Sequence, residues 1–87
     1  MLRITRVTKD NAIWLRLEGK LAGQWVDEFR SAFAAASLSG EPPSLDLSEV
    51  SFVDRTGQDF LQQLALDGVP MPLRSNFVAE LLRLEQS

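Results

Sequence analysis

Cysteine and histidine are both absent from this chain. Their absence removes disulfides, thiolate nucleophiles, imidazole bases and nearly every zinc, haem or iron–sulfur arrangement. Most hydrolytic and redox chemistry goes with them. Carboxylates, hydroxyls and the cationic side chains of arginine and lysine remain for catalysis, so an enzyme is the least expected reading, and neither cofactor nor metal is expected. A basic stripe is lacking too: the net charge is -3, with cationic residues scattered from Arg3 to Arg83. Nucleic acid is therefore not an expected partner. No apolar run approaches the length of a membrane span, and Met1-Leu2-Arg3-Ile4-Thr5-Arg6 has neither the apolar core nor the small-residue cleavage site of a signal peptide. The cytoplasm is the expected compartment, without membrane insertion.

What is present suits a small globular domain. The 87 residues are 45% hydrophobic and 24% charged, enough apolar surface for one domain spanning 1–87 but near the lower limit for a core without disulfides or metal. Leu2 and Ile4 alternate with Arg3 and Thr5, and beyond Lys9-Asp10-Asn11 the alternation resumes in Ile13, Leu15 and Leu17 against Trp14, Arg16 and Glu18. That pattern predicts a β-hairpin. Gly19 and Gly23 bracket an expected loop, after which Trp25, Val26, Phe29, Ala32, Phe33 and Ala36 share one helical stripe. Pro42-Pro43 forms a connector. Residues 44–53 read as a strand, a turn and a second short extended stretch, and Asp54-Arg55-Thr56-Gly57 breaks them from a second helix.

In that helix Phe60, Leu61, Leu64 and Ala65 face one way, with Gly68 placed as its left-handed stop. Val69-Pro70-Met71-Pro72-Leu73 has two prolines that remove ladder donors, so any strand there is short, irregular or at an edge. Ser75 is the expected cap of a third helix, whose buried stripe is Phe77, Val78, Leu81, Leu82 and Leu84. Strands alternating with helices imply an α/β fold, a mixed β-sheet with helices packed on it.

The segment Leu45-Asp46-Leu47-Ser48-Glu49-Val50-Ser51-Phe52-Val53-Asp54-Arg55-Thr56-Gly57 resembles the signature of the STAS family, the anti-sigma-factor-antagonist fold, in which a strand leads into Asp-Ser-Ser/Thr-Gly at a helix start. Leu15-Arg16-Leu17-Glu18-Gly19-Lys20-Leu21 is similar to the family's earlier strand-to-glycine element. The resemblance implies a regulatory interaction module of the partner-switching type, acting in signal transduction and regulation of transcription. Its cytoplasmic partner would be an anti-sigma factor or a GHKL-type kinase. A second reading is a small subunit of a phospholipid-trafficking ABC system, docked on the transporter ATPase. Two departures bear on these readings. Arg55 stands where the family usually carries its phosphoacceptor, and the family commonly continues with another strand and helix, so the expectation that the resemblance carries is of a member abbreviated at the C-terminus. An edge completed by another chain, or a homo-oligomer, is compatible with that.

The resemblance places partner binding on Asp54, Arg55, Thr56, Gly57 and Gln58, with exposed Gln58, Gln62 and Gln63 forming a polar rim together with Asp59. A carboxylate just before a helix is more often held by free backbone amides than used as an acid, so Asp54 is expected to be structural. Thr56 is either a phosphoacceptor or a cap hydroxyl. With Asp59 three residues on it resembles a weak capping box, and capping is the expectation. Arg55 is either a fork for a partner's phosphate or carboxylate or a solvated side chain. Gly57 is expected to allow close packing, since one glycine is no phosphate loop. Trp25 is expected in the core, and Trp14 on an exposed surface or beneath a second helix layer. Asp46, Glu49, Asp54 and Asp59 have no spacing that specifies a metal site or an acid/base pair.

Overall fold

The computed structural model describes the backbone of residues 1–86 and their side chains except those of residues 39 and 83–86. Strands β1 (Leu2–Lys9) and β2 (Ala12–Leu21) form the antiparallel hairpin. Asp10 and Asn11 join them with φ of 54° and 64°. These left-handed values make a two-residue turn whose twist matches the strands, and Asp and Asn tolerate them better than bulkier residues. Leu2 and Ile4 then share a face with Leu15, Leu17 and Leu21, while Arg3, Thr5 and Val7 share the other with Trp14 and Arg16. Contrary to the expectation of a loop opening at Gly19, β2 runs on to Leu21. Gly19 has φ 108° inside the strand, and a Cβ there would collide with the Met1 carbonyl.

Helix α1 (Gln24–Ala36) buries Val26, Phe29 and Ala36, and a 3₁₀ turn with left-handed Gly40 behind it ends the segment. Strand β3 (Ser44–Val53) pairs parallel to β2 and is continuous, where the sequence read a strand, a turn and a second stretch. The reason lies in the register. While β2 advances from Arg16 to Glu18, β3 advances from Asp46 to Glu49, and an extra residue enters again between Val50 and Phe52. Each bulge resets the alternation, so Leu45, Leu47, Val50 and Val53 all point inward despite uneven spacing.

Helix α2 (Arg55–Leu66) buries Gly57, Leu61 and Leu64. It stops as expected: Gly68 has φ 85°, its N–H donates to the Ala65 carbonyl, and the Val69 N–H donates to that of Leu64. This is the Schellman arrangement, and buried Leu64 and Val69 supply the apolar contact that accompanies it. Strand β4 is only Leu73–Arg74, parallel to β3 at the edge. It begins after Pro70 and Pro72, as the missing donors require.

Helix α3 (Asn76–Gln86) is capped by Ser75, whose hydroxyl accepts from the Val78 N–H at 3.2 Å and donates to the Val50 carbonyl at 2.7 Å. Val78 and Leu82 are buried and Leu81 half-buried. Phe77 departs from the expected stripe: it is 39% exposed and its ring lies 6.0 Å from that of Phe52, itself 43% exposed. Leu84 falls outside the described side chains.

Over the described residues the protein is thus α/β, a four-stranded mixed sheet in the order β1-β2-β3-β4 with three α-helices. The buried side chains of the strands lie on the face that α1, α2 and α3 cover, in one core cluster running from Leu2 to Leu82. Phe29, Phe33 and Phe60 lock α1 to α2 edge to face, with centroids 5.2–6.3 Å apart. The Arg30 guanidinium lies 4.5 Å over the Phe60 ring. Trp25 packs at the margin of the core, half-buried. The opposite sheet face carries Trp14, Arg16, Glu18 and Asp46, and Trp14 lines a shallow depression there with Val7 and Leu73. Among the described residues no second helix layer covers it. No described helix is long and apolar enough to cross a membrane.

Candidate functional site

Parallel strands β2 and β3 end side by side, Leu21 opposite Val53, and the chain leaves both toward helices. The loops outside the carboxyl ends of parallel strands are where α/β sheets usually bind ligands. Here the two loops are fastened to each other by Asp54. One carboxylate oxygen accepts the Gly57 N–H at 2.8 Å, and the other accepts the Gly23 N–H, also at 2.8 Å. Gly23 is the N-cap of α1 and Gly57 lies in the first turn of α2. A single carboxylate therefore satisfies orphan amides at two helix N-termini, where the helix dipoles also favour negative charge.

Electrostatics follow from that geometry. The Gly23 amide, and next the Gly57 amide, hold the Asp54 carboxyl below the usual aspartate value of 3.8, against a smaller opposing effect of desolvation. The Asp54 N–H is also engaged, donating to the Leu21 carbonyl at 3.1 Å, and its own carbonyl accepts from Gln58 N–H at 2.8 Å. The aspartate is structural, as the sequence led one to expect.

The reading of Thr56 as the cap is overturned. Asp54 is the N-cap of α2, which begins at Arg55, so Thr56 is the second helical residue. A cap hydroxyl must precede the helix to reach its free amides; one turn-position inside, it points away from them. Thr56 is exposed, and Asp59 is engaged by Arg55 instead of completing a capping box. Consequently Thr56→Ala is expected to change stability by no more than about 0.5 kcal/mol. Chemical denaturation of the variant measures it, and a loss near 1 kcal/mol would restore the cap.

Gly57 does allow close packing. A Cβ there would lie 2.8 Å from the Leu21 carbonyl oxygen and 2.9 Å from Val53 Cγ1. Glycine is what lets the first turn of α2 rest directly on the ends of β2 and β3.

Arg55 has an 82% exposed side chain and reaches one turn along α2, with Nε 3.2 Å from Asp59 Oδ1. Such an exposed i,i+4 pair is worth a few tenths of a kcal/mol at most, and it leaves the guanidinium open to a stronger acceptor. Of the glutamines expected to be exposed at the rim, Gln63 is exposed and bonds Asp67 at 3.1 Å, whereas Gln62 is half-buried and Gln58 is half-buried and engaged. The structure therefore brings Asp54, Arg55, Thr56, Gly57 and Gln58 into one helix-entering turn. Of these, Arg55 and Thr56 are exposed. Among the described residues, no group of acidic residues is arranged to hold a metal ion.

The residue that sequence reasoning missed is Gly23. Its φ of 59° with ψ of -133° is open only to glycine, and its N–H completes the clamp across 31 residues of chain. A glycine just ahead of a helical stripe was the available signal. No family model matches the chain, and no curated protein matches it.

Proposed function

We propose that the chain is a STAS-like regulatory interaction module that binds a cytoplasmic protein, an anti-sigma factor or its kinase, through the turn formed by Asp54, Arg55, Thr56, Gly57 and Gln58, without enzymatic activity of its own. The observation that carries the reading is the Asp54 clamp. It fixes the turn from below through Gly23 and Gly57 while Arg55 and Thr56 stand outward. A rigid turn loses little conformational freedom on binding, which favours recognition over chemistry. Arg55 supplies a planar donor set suited to a carboxylate or phosphate on the partner, at a helix N-terminus that already favours anions. Thr56, with its hydroxyl exposed, is the candidate phosphoacceptor of the turn; a phosphate there would stand beside Arg55 and change the charge presented.

Arg55→Glu is the test. The substitution removes the pair with Asp59 and puts a negative charge where the cation stood, so binding should fall by about tenfold or more while the fold persists. Calorimetric titration against a candidate anti-sigma kinase and, separately, a candidate transport ATPase measures it, with circular dichroism on wild type and variant. Binding to the ATPase alone would transfer the reading to the transport subunit. Undiminished affinity of folded Arg55→Glu would remove this turn from the interface.

A further inference from the structure

Strand β1 has a free edge. The two-residue turn closes on the Lys9–Ala12 pair, and the Lys20 N–H donates to the Met1 carbonyl at 3.1 Å, which fixes the phase of hydrogen bonding along the hairpin. In an antiparallel pair, bonded and non-bonded positions alternate. The N–H and C=O groups of Leu2, Ile4, Arg6 and Thr8 therefore point away from β2, and β1 is the outermost strand. Four residues' worth of ladder stand ready for another strand.

Two further features border that edge. On the helix side, a groove runs between β1 and α1, floored by Ile4 and Leu15 and walled by Ala32 and Ala35, with Arg6 and Glu28 at its rim. Small residues on α1 and a half-buried Ile4 leave room there for aliphatic side chains from an added strand. On the bare face β1 presents Arg3 and Lys9. Together with Arg6 these are the only charges of β1, and among the described residues none of the three is in an ion pair. The hairpin, residues 1–21, holds five cationic and two anionic side chains, against four and ten in the rest of the chain.

We propose that the free edge of β1 is a docking strand for an extended partner segment whose residues alternate between aliphatic and acidic. Its aliphatic side chains enter the groove beside Ile4, and its carboxylates lie across from Arg3 and Lys9, where directly opposed opposite charges stabilise a strand pair. The same cations argue against a second copy as the occupant, because β1 against β1 brings three cations and no anion from each copy to one seam. This surface is separate from the turn at Asp54, so its test stands apart from that of the proposed function.

The experiment is an amide-resolved NMR titration of the whole chain with a capped octapeptide of alternating valine and glutamate. The expected shifts fall on the amides of Leu2, Ile4, Arg6 and Thr8 more than on those between them, and weaken with salt. A valine–lysine octapeptide should bind about tenfold more weakly, and the glutamate peptide N-methylated throughout should not bind. In a doubly substituted Arg3→Glu, Lys9→Glu protein, checked for fold by circular dichroism, the preference should reverse toward the lysine peptide. Equal response to both peptides, binding that survives N-methylation, shifts centred elsewhere, or no shift at all would overturn the proposal. So would protection of the β1 amides by concentration of the protein alone, which would make a second copy the occupant.

Discussion

Asp54→Ala is expected to lower the free energy of unfolding by about 2–3 kcal/mol, roughly 1 from the lost helix cap and the rest from the lost charged acceptor of the Gly23 N–H. Both bonds are 2.8 Å long and end at helix N-termini, so removing the carboxylate takes the charged acceptor from two amides at once, the part-buried Gly57 N–H and the solvent-exposed Gly23 N–H. Asp54→Asn should fall between, because an amide keeps one acceptor oxygen but turns an NH₂ group toward the other donor. The pH dependence has a definite sign. The carboxyl of the folded protein titrates below its usual range. Its contribution is therefore complete above the unfolded value of about 3.9 and is lost as pH falls through the folded one. Denaturant melts of the wild type and Asp54→Asn across the acid range should converge as pH drops. Parallel curves would mean that the charge of Asp54 contributes nothing.

Gly57→Ala comes second, with an expected loss of about 2 kcal/mol from overpacking. Alanine ordinarily stabilises a helix relative to glycine by up to about 1 kcal/mol, so the sign itself is diagnostic. Here the added methyl meets the Leu21 carbonyl oxygen and Val53 Cγ1, which belong to two different strands and cannot both yield. Thermal or chemical melts decide the matter, with Gly68→Ala as a comparison in which the strain comes from φ 85° alone, since nothing lies within 4 Å of its Cβ. A stabilised Gly57→Ala protein would show that α2 can lift off the sheet at little cost.

The element order was readable because most of the chain keeps its period: Ile13, Leu15 and Leu17 alternate, and α1 and α2 repeat their apolar residues at helical spacing. The reading failed where a local device altered the period. Ser48-Glu49 broke the alternation of Leu45 and Leu47, and a turn was inferred; the cause is a bulge, which depends on what β2 does alongside. Gly19 suggested a loop, yet it answers to the position of Met1 across the hairpin. Phe77 has the spacing of a core residue, but the adjacent exposed Phe52 offers its ring a partner outside the core.

At the candidate site the residue types were readable and the bonding was not. Asp54 was expected to meet helix amides, which are local. That its second oxygen reaches Gly23 is a matter of which strands lie side by side, and no spacing in the sequence encodes it. Thr56 fits the capping-box spacing, but the residue two places earlier is the better acceptor and starts the helix sooner.

The brevity of β4 has a consequence for stoichiometry. A fibre built strand upon strand needs two open ends on each copy, one to receive and one to offer. On the β4 side three outer groups of β3 are already taken: the Leu45 N–H donates to the Pro70 carbonyl, the Leu47 carbonyl accepts from Ser75 N–H, and the Val50 carbonyl accepts the Ser75 hydroxyl. Pro70 and Pro72, with no N–H to give, stand just ahead of the two paired residues. Among the described residues the β4 edge is two residues long against eight in β1, so strand addition at the β4 end is expected to be far weaker than at β1, and growth of the concentrated protein into a fibre through its sheet is expected to be disfavoured.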